Sequence, residues 1–184
     1  MNEEKEKMLN GEYYDPMDKV ILEEKMYAQK LLYHYNRTEE WAGGKRYRIL
    51  KMLLGHSGEL VTIELSFRCD YGKNIFIGEE FYANYNCVML DTCPIVIGDK
   101  CLFGPGVHIY TSTHPVDPEE RAMKKQYGKP VTIGNNVWIG GHSVINPGVK
   151  IGDDSVVASG SVVAKDVPSN VLVGGNPAKI IREI

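Results

Sequence analysis

Residues 133–163 read IGNNVWIGGHSVINPGVKIGDDSVVASGSVV, with a branched aliphatic residue at every sixth position: Ile133, Ile139, Ile145, Ile151, Val157 and Val163. Four places after each stands a small or medium-sized residue, Val137, Ser143, Val149, Ser155, Ser161 and Val167. A helix repeats every 3.6 residues and a pleated strand every 2, so a sustained step of six fits neither. It fits a prism in which each hexad supplies one short strand and one bend. Three hexads close an 18-residue turn, and successive turns stack at about 4.8 Å. Such a solenoid buries the apolar column of each turn against the next.

Working outward, Ile-Gly followed by two polar residues marks the same step at Ile77, Ile97, Ile133 and Ile151, with spacings of 20, 36 and 18. Ile97, Phe103 and Ile109 carry an earlier set of hexads, with Cys101, Val107 and Thr113 in the smaller places. The spacing of 36 holds one coil, 97–114, followed by PVDPEERAMKKQYGKPVT (115–132), which is charged, Pro-containing and off pattern. That stretch reads as a loop extruded from the prism, a common location for function. The spacing of 20 predicts two extra residues near Asp91–Pro94. Ordinary parallel crossovers are right-handed in about 98% of cases, and the period itself sets no hand.

Before residue 59 the pattern is different. Val20–Tyr35 places Leu22, Met26, Leu31, Leu32 and Tyr35 at helical spacing, and Arg48–Leu54 continues in that style up to Gly55. The expected organisation is a helical segment over 1–58 and a mainly β solenoid over 59–184, with a loop at 115–130 and a C-terminal tail.

The 184 residues are 43% hydrophobic and 24% charged, with a net charge of -3. This is a globular composition without the positive field that gathers nucleic acid or anionic membrane. The charged N-terminus lacks a signal-peptide core and no stretch is long and apolar enough to span a bilayer, so the expectation is a cytoplasmic protein. Cys69, Cys87, Cys93 and Cys101 form no CxxC pair and read as small buried thiols.

Three stretches carry a resemblance: EKEKMLNGEYYDP (4–16), FRCDYGKNIFIGEEFYANYNCVMLDTCPIVIGDKCLFGPGVHIY (67–110) running into TSTHP (111–115), and GKPVTIGNN onward to the C-terminus. The chain resembles the maltose and galactoside O-acetyltransferase family from end to end, and the maltose acetyltransferases in particular. Hexapeptide repeats alone are shared by many transferases, whereas YGxNIxIG, FxANxNC and TxTHP together are specific. The resemblance implies a left-handed parallel β-helix, a homotrimer with active sites between subunits, and a helical segment that caps the acceptor site. It implies acetyl transfer from acetyl-CoA to a sugar hydroxyl, typically the 6-OH of a hexopyranose, with no metal required.

A hydroxyl needs a base to attack a thioester at neutral pH, and His is the side chain suited to that task. His114 matches the family's catalytic position. Asp15, Lys25, Asp70, Asn84 and Asp91 match acceptor-side positions, and Gly141, Ser159, Ala164, Lys165, Lys179 and Arg182 match the acetyl-CoA site. Small residues admit the pantetheine arm, and the cations suit phosphate. Three departures stand out. Thr92 replaces the second acid of an Asp-Asp pair, Lys25 replaces the usual Arg and lacks its planar fork, and Gln126 replaces a Glu found in many relatives.

Two other classes share the architecture. Carbonic-anhydrase-type β-helices bind zinc through three histidines, but His108, His114 and His142 are spaced 6 and 28 apart, not by whole turns. A non-catalytic scaffold would not need His114, Asn84 and the cationic C-terminus together.

Overall fold

The computed structural model describes residues 2–39, 41–123 and 126–184. Residues 124 and 125, within the expected loop, lie outside this set.

From His56 the chain winds into a parallel β-helix with three faces. The first face stacks His56–Ser57, Ile75–Ile77, Ile95–Ile97, Val131–Ile133 and Lys150–Ile151. The second stacks Val61–Ile63, Phe81–Ala83, Leu102–Phe103, Trp138–Ile139, Val156–Val157 and Val171–Gly175, edged by antiparallel Ala178–Glu183. The third stacks Arg68–Cys69, Val88–Leu90, His108–Tyr110, Val144–Ile145 and Val162–Val163.

The registers reproduce the spacings of the sequence. Phe76 pairs with Val96, Val96 with Thr132 and Thr132 with Lys150. Both members of each hexad point inward: Val131, Ile133, Val137, Ile139, Ser143 and Ile145 are all at most 1% exposed. The buried serines remain satisfied, with Ser143 donating to Ala158 O at 3.1 Å and Ser155 to Pro168 O at 2.7 Å. All four cysteines are free and buried.

The corner between the first and second faces shows why Ile-Gly is followed by polar residues. Glu80, Lys100, Asn136 and Asp154 sit there at φ 53–58°. A Cβ on Gly134 would lie 2.3 Å from Asp153 Oδ1, so only glycine lets the coils close. The neighbouring side chains staple coil to coil: Asp153 Oδ1 accepts from Asn135 N at 2.6 Å, Asn135 Oδ1 from Asp99 N at 3.0 Å, and Asp99 Oδ1 from Glu79 N at 2.8 Å.

One coil is invisible to the Ile-Gly reading. His56-Ser57-Gly58 pairs in register with the strand ending at Ile77, with Ser57 where later coils have Ile. Its upper neighbour is helical rather than another coil, so the usual aliphatic residue is not demanded there.

Helices α1 (Glu3–Asn10), α2 (Lys19–Tyr35) and α3 (Gly43–Leu53) precede the coil. Asp18 caps α2 by accepting from Val20 N at 2.9 Å. Ala28, Leu32 and Tyr35 of α2 and Ile49, Leu50 and Leu53 of α3 share one core with the coil, closing its open end. Tyr35 donates its hydroxyl to Ile63 O. No helix among the described residues is long and apolar enough to cross a membrane.

Candidate active site

Every insertion into the hexad rhythm falls on one corner, between the third and first faces. Two successive coils each spend extra residues there, at Asp70–Asn74 and at Asp91–Pro94, and the long excursion leaves from Thr111 and returns at Pro130. The excursion opens earlier than its charge pattern predicts. Ser112–Thr113 pairs antiparallel with Tyr127–Gly128, so Thr113, expected inside the coil, stands in a ribbon outside it. A short helix α4 (Pro118–Ala122), capped by Asp117, lies within the excursion.

Asp91 occupies the heart of this corner and is 0% exposed. Its Oδ1 accepts from the backbone N–H groups of Asp70 and Tyr71, both at 2.9 Å, and Asn74 Nδ2 donates to its carbonyl at 2.6 Å. Burial pushes its carboxyl up to about 6, against the pull of those N–H bonds and aided by the charge of Asp70. Asp91, expected among the acceptor-side positions, presents no exposed surface in the single chain. Its side chain faces inward and is occupied in holding the turn above it.

Asp70 lies on that turn and is half-buried. It meets Lys25 Nζ of α2 at 2.9 Å, and the same ammonium stands 5.9 Å from the centre of the Tyr71 ring. Gln29, one helical turn further along, donates to Cys69 O at 3.0 Å and so docks α2 on the corner. Asp15 is exposed, and its Oδ1 accepts from Met17 N at 2.9 Å. Between them Met8, Tyr14, Ile21 and Tyr71 form a small separate core, in which burial pushes both phenols upward.

The excursion is tied to the N-terminal segment here. Tyr14 bridges antiparallel to Gln126, and the Tyr13 and Tyr127 rings meet edge to face at 5.1 Å. Gln126 is in turn one residue beyond the pair Thr113–Tyr127, which sets it across the ribbon from His114. His114 is exposed and Pro115 behind it is buried. One corner thus brings together Asp15, Lys25, Asp70 and the ribbon that ends at His114.

Asn84 is not among them. It follows Phe81–Ala83 at the corner between the second and third faces, half-buried, its Oδ1 accepting from Tyr85 N at 2.7 Å. Gly141 and Ser159 lie on that same corner in later coils, where a Cβ on Gly140 would meet Ser159 N at 2.5 Å. Lys179 and Arg182 extend from the outer strand of the second face, opposite Gly174 and Leu172. Ala164 and Lys165 instead follow Val162–Val163, on the His114 side. The positions matched to one site therefore flank both edges of the third face, separated by about five residues, or roughly 17 Å at strand rise.

The three histidines of the zinc alternative stand apart in the fold. His108 lies within the third face, with Nδ1 2.6 Å from Tyr110 Oη, and His142 sits at the Asn84 corner against Gly106. Among the described residues no group of three His, Cys, Asp or Glu is placed to hold a metal ion. Sequence reading missed Tyr14, Tyr71 and Gln29. Tyr14 and Tyr71 adjoin matched aspartates, but the contacts that join them to each other, to Lys25 and to Gln126 are distant in sequence and have no local signal.

A parallel β-helix of six-residue steps with an appended helical cap and an excursion that carries a His near its base defines the hexapeptide-repeat acyltransferase class. Residues 7–58 match the maltose acetyltransferase hexapeptide capping motif, and residues 130–165 match the bacterial transferase hexapeptide repeat. The chain is 41% identical to the galactoside O-acetyltransferase of Escherichia coli, over 97% of this chain and 88% of that one. The crystal structure of a maltose O-acetyltransferase from Clostridium difficile superposes with a TM-score of 0.97 at 48% identity, covering 98% of this chain and 97% of that one. A hexapeptide-repeat acetyltransferase from Vibrio cholerae, solved with acetyl coenzyme A, gives 0.93 at 42%, covering 99% and 98%. The chain belongs to the maltose and galactoside O-acetyltransferase family and is an O-acetyltransferase of that type.

Proposed function

We propose that the chain transfers acetyl from acetyl-CoA to the 6-hydroxyl of glucose, maltose or a related hexopyranoside. The observation that carries this reading is the convergence, at a single corner, of two carboxylates, an ammonium and the ribbon tipped by His114. Carboxylates accept bonds from several sugar hydroxyls at once, and Lys25 donates. The N-terminal segment carries Asp15 between α1 and α2 and Lys25 on α2, and caps the acceptor site.

His114 takes the proton of the attacking hydroxyl as its oxygen bonds to the acetyl carbon. A backbone N–H of a neighbouring coil steadies the tetrahedral oxyanion. The carbon–sulfur bond then breaks, and the proton passes from His114 to the departing CoA thiolate. No acetyl-enzyme forms. Gly141, Ser159 and Ala164 leave room for the pantetheine arm, and Lys165, Lys179 and Arg182 pair with phosphates.

The division of these positions between two edges of the third face supports a homotrimer in which each centre lies between neighbours, one copy supplying His114 and the next Asn84. The test of function is CoA thiol release from acetyl-CoA across a panel of glucose, maltose and galactosides, with product regiochemistry read by NMR. Acetylation at O6 with one sugar clearly preferred in kcat/KM is the expected outcome. Thiol release that does not depend on any sugar would overturn the assignment.

A further inference from the structure

Asp91 is the one fully buried carboxylate among the described residues, and the proposed chemistry does not touch it. Its contacts all run to one turn. Oδ1 holds the Asp70 and Tyr71 amides at 2.9 Å, Oδ2 faces Asn74 N at 3.4 Å, and its carbonyl holds Asn74 Nδ2 at 2.6 Å. The turn has no strand ladder of its own to fix it, because it consists of the residues inserted into the hexad rhythm. The two amides that Asp91 grips belong to the residue whose carboxylate meets Lys25 and the residue whose ring faces the same ammonium. Gln29 grips the turn from the opposite side through Cys69 O. The turn is therefore clamped between a buried carboxylate below and α2 above.

We propose that Asp91 is a positioning residue for acceptor binding, holding the Asp70–Asn74 turn so that Asp70 and Lys25 form one wall of the sugar site. The inference rests on the acceptor reading of that corner given above. It replaces the direct sugar contact that sequence matching suggests for Asp91 with an indirect action through Asp70.

Asp91→Asn is nearly isosteric. It keeps one oxygen for the Asp70 and Tyr71 amides but turns an N–H donor toward Asn74 N, so the clamp loosens while the core stays filled. Three readouts separate the possibilities. Hydrogen exchange at the Asp70 and Tyr71 amides is expected to rise at least tenfold, with the amides of Ile95–Ile97 unchanged. The acceptor KM is expected to rise about tenfold, with the acetyl-CoA KM within a factor of two, the pattern of weakened acceptor binding. Lys25→Gln is expected to raise the acceptor KM too, and the double variant to exceed neither single variant by more than a factor of two, because both act through one wall.

If exchange at the two amides is unchanged, or the acceptor KM of Asp91→Asn is normal while that of Lys25→Gln rises, the positioning role is overturned and the acceptor site stands. If the two KM effects multiply in the double variant, Asp91 acts elsewhere and the role is again overturned. A normal acceptor KM in Lys25→Gln overturns the acceptor wall itself, and with it the role assigned to Asp91.

Discussion

At the scale of single residues, the chemistry of the corner depends on which groups face solvent and which do not. His114 is exposed at the end of a ribbon, with buried Pro115 fixing the chain behind it. His114→Ala is expected to lower kcat by 10²–10⁴-fold, the usual worth of a positioned base, while the Kd for acetyl-CoA by calorimetry stays the same. A variant with full turnover would remove His114 from the mechanism. Asp91 is the opposite case, a carboxyl pushed up to about 6 by burial, with Asp70, Tyr71 and Cys69 as its titratable neighbours. An ordinary Asp titrates near 3.9, so between about pH 4 and 6 the folded chain holds a proton here that the unfolded chain releases. The stability contributed by that proton is complete below about pH 4 and is lost as pH rises through about 6. At pH 8 the buried charge costs on the order of 3 kcal/mol relative to a neutral group. Urea unfolding should therefore show Asp91→Asn gaining stability relative to the parent between pH 4.5 and pH 8. A difference that stays flat with pH would mean Asp91 is not an ionised buried acid.

At the scale of elements, the repeat was legible because it is local. The inward residues of 133–163 recur every six places and stack on one another 18 places apart, and the corner glycines recur with them. The breaks in the rhythm were legible too, and the registers place the extra residues at Asp91–Pro94 and the excursion between Ile97 and Ile133. What could not be read was the meaning of a residue inside a break. In sequence Asp91 is only one of the extra residues, and the fold alone shows three insertions stacked on one corner with its carboxylate beneath. The resemblance could match Asp91 to a family position without saying which way its side chain points. Two glycines separate the forces that shape the coil. Gly160 has φ 73° and open space around its Cβ position, so Gly160→Ala carries backbone strain alone, about 1 kcal/mol. Gly134 has no such φ, but a Cβ there meets Asp153 Oδ1 at 2.3 Å and Asp153 N at 2.8 Å, so Gly134→Ala must push two coils apart, about 1–3 kcal/mol. Thermal unfolding should rank Gly134→Ala as the more damaging, and the reverse order would mean that coil spacing is softer than this close approach implies.

At the scale of the whole molecule, the decisive fact is the width of the third face. Asn84, Gly141 and Ser159 flank one edge of it, and Asp70, His114 and Lys165 the other, so no bending of a few side chains brings His114 to Asn84 within one chain. In the homotrimer proposed above, a heterologous contact repeated around a threefold axis closes a ring of three, and each interface pairs the His114 edge of one copy with the Asn84 edge of the next. This makes a prediction that holds whichever sugar is the acceptor. His114→Ala and Asn84→Ala should each be inactive alone. When the two are unfolded together in equal amounts and refolded, each interface draws its two edges at random. About one interface in four then receives an intact His114 from an Asn84→Ala chain and an intact Asn84 from a His114→Ala chain. Roughly a quarter of parental activity should return, and it should appear only after subunits exchange. A mixture that stays inactive, with its trimers shown by mass to be hybrid, would place each centre within a single chain and require a rearrangement of the third face that this structure does not contain.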